Sequence, residues 1–214
     1  MLKSSCFLIF IFWTVFISAQ INDDESYGLK SNYTFIDENG KVISKLDFLK
    51  KRETNYVLNI VDDSLKQNRL IEREEKGFLK NKNILLRKIE VLINDRIDTT
   101  QSVVLVYYPG KDPCNSSGTA TAKSEETFDR QLEKRISKFT KNKIIHIYKN
   151  EEGLKREKTI WYKDPENFFE KQFFKYHYPC GSFVVISGNG IFVSYFGEYS
   201  TNHIFNVVKF LYKK

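Results

Sequence analysis

Apolar residues fall into two rhythms along this chain. "SVVLVYY" (Ser102 to Tyr108) is a continuous apolar run, the pattern of a strand covered on both faces of a sheet. "KIIHIYK" (Lys143 to Lys149), "SFVVIS" and "IFVSYFGEY" are further β-branched or aromatic runs, the last two joined by the turn "SGNG". Between them the period lengthens. Phe128, Leu132, Ile136 and Phe139 recur at helical spacing behind Ser124, Glu125 and Glu126, whose hydroxyl and carboxylates suit a helix start. Phe168, Phe169, Phe173 and Tyr176 follow Asp164-Pro165-Glu166, which predicts a cap, a first-position proline and an acid in the first turn. Ile204, Val207, Val208 and Leu211 follow Ser200 as cap of a last helix. From Val103 onward the predicted order is β-α-β-α-β-β-α.

The front half is less regular. "YTFIDENGKVI" places two short apolar runs around an Asn-Gly pair, a hairpin signal. "SKLDFLKK" predicts one or two helical turns and "TNYVLNIV" a strand. From Asp63 to Asp95 the chain is dense in charge and is expected to be mostly helical, broken near Gly77, with Leu85, Ile89 and Leu92 on one face. No catalytic signature stands out in this half.

The first residues change the picture. "MLKSSCFLIFIFWTVFISAQ" joins a basic start at Lys3, an apolar core from Cys6 to Phe16 and a small-residue end at Ala19, which together predict a secretory signal over residues 1–19. The apolar run is shorter than the ~20 residues of a spanning helix, and no later segment is long and apolar enough to span a membrane. A secreted or periplasmic protein is therefore expected. Loss of the signal takes Lys3 and no acid, lowering the net charge of +7 by one. The remaining basic residues are interleaved with acids, as in "EREEKGFLKNKN", so a solvated mixed surface is expected and no nucleic-acid partner. Cys6 leaves with the signal. Cys114 and Cys180 remain, and two cysteines in an oxidising compartment predict a pair.

Three stretches carry a family resemblance. "VVLVYYPGKDPC" resembles the central strand and redox loop of thioredoxins and the "Y-P" loop of peroxiredoxins. "YPCGSFVVISGNGIFVSYFGEYS" resembles their proline loop, hairpin and terminal glycine, and "YTFIDENGKVISKLDF" the hairpin ahead of the core in secreted thioredoxin-like proteins. The chain thus resembles a divergent member of the thioredoxin-like superfamily, mainly over residues 102–213. This implies an α/β fold with a thioredoxin-like β-α-β-α-β-β-α core and a mixed sheet. The organisation expected is a signal at 1–19, an N-terminal hairpin and helical extension at 20–101, and the thioredoxin-like domain at 102–214.

The resemblance also implies that the loop after the first core strand lies beside the loop before the third, bringing Cys114 and Cys180 within the ~4.4–6.8 Å between α-carbons that a disulfide needs. Two functions then compete. One is a non-catalytic exported domain in which the bond is a static staple. The other is a thiol–disulfide oxidoreductase or thiol peroxidase of the cell envelope, with Cys114 attacking and Cys180 resolving. The family's second cysteine is replaced by Ser117 in "CNSS", and Pro179 stands a residue or two before the family's proline position, leaving Gly181 or Ser182 there. Both departures favour the staple. Lys111 is the nearest cation in sequence that would lower a thiol pKa. His177 is a candidate base, or a third ligand with the two cysteines for copper or zinc; a histidine at a helix end more often caps carbonyls, so no metal and no cofactor is expected. His146 reads as a sheet-surface residue and His203 as exposed. Asp62-Asp63 and Glu151-Glu152 read as solvated turns. A protein partner is left open.

Overall fold

The computed structural model describes residues 28–116, 122–138, 141–154, 159–176 and 178–212. The expected signal, Ser117, Phe139 and His177 lie outside them. In chain order the elements are β1 (Thr34–Ile36), α1 (Lys45–Arg52), β2 (Val57–Asp62), β3 (Gln67–Glu72), β4 (Glu74–Phe78), α2 (Lys82–Ile93), β5 (Ser102–Tyr108), α3 (Pro113–Ser116), α4 (Ala122–Ser137), β6 (Asn142–Tyr148), β7 (Trp161–Lys163), α5 (Phe168–Phe173), β8 (Ser182–Ile186), β9 (Ile191–Phe196) and α6 (Thr201–Tyr212). This is a mixed α/β protein with two sheets, ordered β1-β3-β2 and β4-β9-β8-β5-β6-β7. Among the described residues, no helix is long and apolar enough to cross a membrane.

The larger sheet is built around β5, whose run of valines, leucine and tyrosines needs cover on both sides. Alternate residues supply two separate cores, as the two-residue period of a strand requires. Val103, Leu105 and Tyr107 join Leu85, Leu86 and Ile89 of α2 and Phe169 and Phe173 of α5. Val104 and Val106 join Leu132 and Ile136 of α4 and Ile204, Val207, Val208 and Leu211 of α6 on the opposite face. β5 runs parallel to β6 and antiparallel to β8, and β8 is antiparallel to β9. β7, parallel to β6 at the sheet's end, was not expected from the sequence.

The stretch expected to be mostly helical is not. Residues 67–78 form two strands, and only Lys82–Ile93 is a helix. β3 and β4 are in effect one strand that changes sheets at Arg73. The Arg73 N–H bonds the Tyr56 carbonyl at 2.9 Å, continuing the small sheet, and its carbonyl accepts from Phe196 N–H at 2.8 Å, opening the large one. β4 then pairs along the whole of β9. Residues before 102 thus supply both an outer strand and a covering helix of the large sheet.

The small sheet has its own core. Ser44 caps α1 by accepting the Asp47 N–H at 3.1 Å, which aims Phe48 into a cluster with Leu29, Val57 and Leu70. The Asn-Gly hairpin closes as expected: Asp37 N–H bonds Lys41, Ile43 N–H bonds Phe35, and Ile36 bridges Val42.

Three local expectations change. The Asp164 carboxylate passes over a 3-10 turn, Pro165–Asn167, and accepts Phe169 N–H at 3.0 Å and Glu170 N–H at 2.9 Å, so the helix starts at Phe168. His146 is buried against Trp161, with ring centroids 4.9 Å apart. His203 is half-buried and its ring meets those of Tyr195 and Phe183.

Phe48→Ala should lower stability by ~3–5 kcal/mol through the void it leaves, while Tyr56→Ala, at a side chain 81% exposed, should change it by less than ~0.5 kcal/mol; urea unfolding measures both. Burial holds the His203 pKa below its ordinary 6.5, against a smaller opposing pull from Glu74. The unfolded chain then binds the extra proton first, so this contribution is complete above pH 6.5 and is lost as pH falls through the depressed folded value. His203→Phe should flatten that part of the urea-midpoint profile between about pH 7.5 and 5.

Candidate functional site

Two loops at one end of the large sheet carry the remaining cysteines. The first leaves β5 at Tyr108 and is wound up by a reciprocal pair. Asp112 N–H donates to Asn115 Oδ1 and Asn115 N–H donates to Asp112 Oδ1, both at 2.9 Å, while the Asn115 amide holds the Gly110 carbonyl at 2.8 Å. Pro113 at the first position suits the short turn α3 that these bonds close. Cys114 sits on α3, exposed.

The second loop descends to β8. Tyr178 is buried, its ring stacked on Phe196 at 4.3 Å and its phenol pKa pushed upward by that burial. The Pro179 carbonyl then accepts Gly181 N–H at 2.9 Å across Cys180, whose φ is +68°. This is a γ-turn of the strained, positive-φ kind, which costs a non-glycine residue ~1–3 kcal/mol. Something must hold it, and two attachments do. The Cys180 N–H donates to Asp112 Oδ2 at 3.0 Å, a charge-assisted bond from a carboxylate only 8% exposed. The second is covalent: Cys114 and Cys180 form a disulfide, their α-carbons 5.1 Å apart. Bridging a separation of 66 residues stabilises the fold by about 4 kcal/mol in the chain-entropy model. The expected pair therefore forms.

A third group joins them. One carboxylate oxygen of Glu198 and the two sulfurs all lie within 4.8 Å of one another. Sequence reasoning missed Glu198, yet the signal was present. The "SGNG" turn sets an antiparallel register in which Ser182 faces Phe196, and two residues further along that register Cys180 comes opposite Glu198. Among the described residues, Cys114, Cys180 and Glu198 are the set whose donor atoms converge closely enough for a metal ion. His177 and Ser117 lie outside those residues.

Cys114 and Pro179 also form part of a cleft of about 950 Å³ between the two sheets. Its other wall is the α1–β2 segment, with Leu46, Leu49, Val57 and Leu58, and with the cations Lys50, Arg52 and Arg73. Arg52 is braced by Asn59 at 2.6 Å and Arg73 by the Val57 carbonyl at 3.3 Å. Gly197, next to Glu198, lies against the same wall: a Cβ there would stand 3.3 Å from the Arg73 guanidinium.

The other candidates lie apart from this site. Lys111 faces Glu152 at 3.5 Å. The Asp62 carboxylate holds the Ser64 hydroxyl and the Ser64 and Leu65 amides, and Asp63 pairs with Lys30 at 2.6 Å and Tyr33 at 2.9 Å; these bonds keep both carboxyls below their ordinary pKa and make them turn and tether. No family model matches the chain, and neither a curated protein nor a solved structure matches it.

Cys114→Ser should lower the unfolding free energy by about 4 kcal/mol. Asp112→Ala, which strips the Asn115 and Cys180 amides of their acceptor, should cost ~1–3 kcal/mol for each amide left dry. Urea titrations of the two variants and of chemically reduced wild type test both values.

Proposed function

We propose that this is an exported thiol–disulfide oxidoreductase on a thioredoxin-like fold, with Cys114 as the sulfur met from solvent and Cys180 as its resolving partner. The strand run β6-β5-β8-β9, parallel then antiparallel twice, supports that fold assignment: it is the order the resemblance implies. The presence of a disulfide is compatible with an extracellular setting.

One observation supports a couple over a staple. Cys114 is exposed at the rim of a cleft, whereas the Cys180 N–H donated to Asp112 ties the same two loops by a second bond that does not involve the sulfurs. A staple gains nothing from exposure, and a redox pair needs a framework that survives reduction. Exposed or strained disulfides have the higher potentials of labile and catalytic pairs.

The steps balance as an ordinary two-electron exchange. A thiolate of a dithiol reductant attacks Cys114 Sγ, the bond to Cys180 breaks, and Cys180 leaves as a thiolate that takes up a proton. A carboxylate oxygen of Glu198 lies within 4.8 Å of both sulfurs, a span that one bridging water can relay. The reductant's second thiol then displaces Cys114, which leaves as a thiol, and the reductant departs as its own disulfide. Run in reverse, the same steps reduce a client disulfide and restore the bond between Cys114 and Cys180. The three cations Lys50, Arg52 and Arg73 outweigh the cleft's one acid, Glu53, and favour a partner segment with acidic side chains near its sulfur.

The reduction potential tests this reading. Equilibration in thiol buffers followed by alkylation and intact mass should give a value above about −300 mV, and Cys114→Ser should abolish insulin reduction. A pair more reducing than that value, with no exchange activity in the wild type, would make the bond a staple.

A further inference from the structure

We infer that the dithiol form of this site binds one thiophilic divalent cation, of the zinc type, through Cys114, Cys180 and Glu198. The inference rests on the pair being reducible, as proposed above.

Three features carry it. The donor set comes first. Two thiolates and one carboxylate suit a borderline-soft ion that prefers four-coordinate sites. With metal–sulfur bonds of about 2.3 Å, tetrahedral geometry puts the sulfurs about 3.8 Å apart and each sulfur about 3.5 Å from the oxygen. All three atoms already lie within a 4.8 Å envelope, and once the disulfide is broken the sulfurs move from bonding distance, about 2 Å, to about 3.8 Å, still inside that envelope.

Preorganisation is the second. Asp112 clasps the Cys180 amide, the pairing of Tyr107 with Ser182 anchors the loop behind it, and the β8–β9 hairpin delivers Glu198. None of these depends on the sulfur–sulfur bond. These contacts remain to hold the site when the disulfide is opened, which lowers the ordering that metal binding must supply.

Access is the third. Cys114 and Glu198 are exposed and Cys180 is partly so. The fourth coordination position can be taken by water or by a ligand from solvent, the open arrangement of a reactive site as opposed to a closed structural one.

Metal and disulfide exclude each other, since the sulfur electrons that would bind the ion are committed to the bond. Linkage makes the consequence reciprocal. The cation stabilises the dithiol, so each tenfold rise in free zinc above its dissociation constant raises the potential of the pair by about 30 mV. Oxidation releases the ion, and binding releases thiol protons.

The experiment uses the full chain, reduced with a phosphine and titrated with zinc against a chromophoric chelator, with cobalt as the spectroscopic probe. One equivalent should bind to the reduced protein and none to the disulfide form. Cobalt should show thiolate charge transfer and tetrahedral bands. Glu198→Gln, at an exposed side chain whose loss should not disturb folding, should weaken binding roughly tenfold or more. Circular dichroism of the reduced chain checks that it is folded when titrated. Failure of the folded, reduced protein to bind zinc would overturn the inference, as would wild-type affinity in Glu198→Gln or equal binding by the oxidised chain. Insulin reduction separates the two proposals. Active exchange without zinc binding removes this site alone, whereas zinc binding by chemically reduced protein that is inactive in exchange supports the site and removes only the redox role.

Discussion

The antiparallel pairing of β5 with β8 is the constraint from which the site follows. Tyr107 opposite Ser182 means that the chain leaving β5 and the chain entering β8 emerge at the same rim, however many residues separate them. The alternation of β5 side chains between two cores holds that register in place, because a slip of one residue would exchange the two faces. The sulfurs meet for this reason. The hairpin that follows then returns a carboxylate to the same rim by a second antiparallel register.

The small sheet shapes what approaches that rim. It is continuous with the large one through Arg73, whose backbone bonds to Tyr56 on one side and Phe196 on the other. The cleft wall formed by α1 and β2 is thereby built into the same hydrogen-bonded framework as the disulfide. Bracing of Arg52 by Asn59 and of Arg73 by Val57 presents cations whose side-chain freedom is already reduced.

Legibility in the sequence tracked how directly burial could be read from composition. β5, β8, β9 and α6 are apolar at nearly all their buried positions, Ser182 and Ser194 apart, and they lie where expected. β3 and β4 do not, because their pattern is hidden. Asn68 occupies a fully buried strand position and is paid for by two bonds to the Lys30 backbone, at 3.0 and 2.8 Å. β4 is an outer strand whose charges mimic a solvated helix face, and its Gly77 reads as a helix breaker. In fact a Cβ at Gly77 would stand 2.5 Å from the Phe192 ring that covers it. His203 and His146 were misjudged for a related reason: the rings that cover them come from other elements, and single-element periodicity does not count them. The cysteine pair was legible through compartment and resemblance. Glu198 was legible only through a register, which requires counting outward from a turn instead of searching for a motif.

The placement of β4 along β9 has a bearing on how such a chain could be divided or borrowed. Expressed alone, residues 102–214 would present β9 as a bare rim of unpaired amides and carbonyls beside Val193 and Phe196, the kind of edge that recruits another molecule's strand. In the whole chain the front segment supplies β4 and so leaves that rim no free edge.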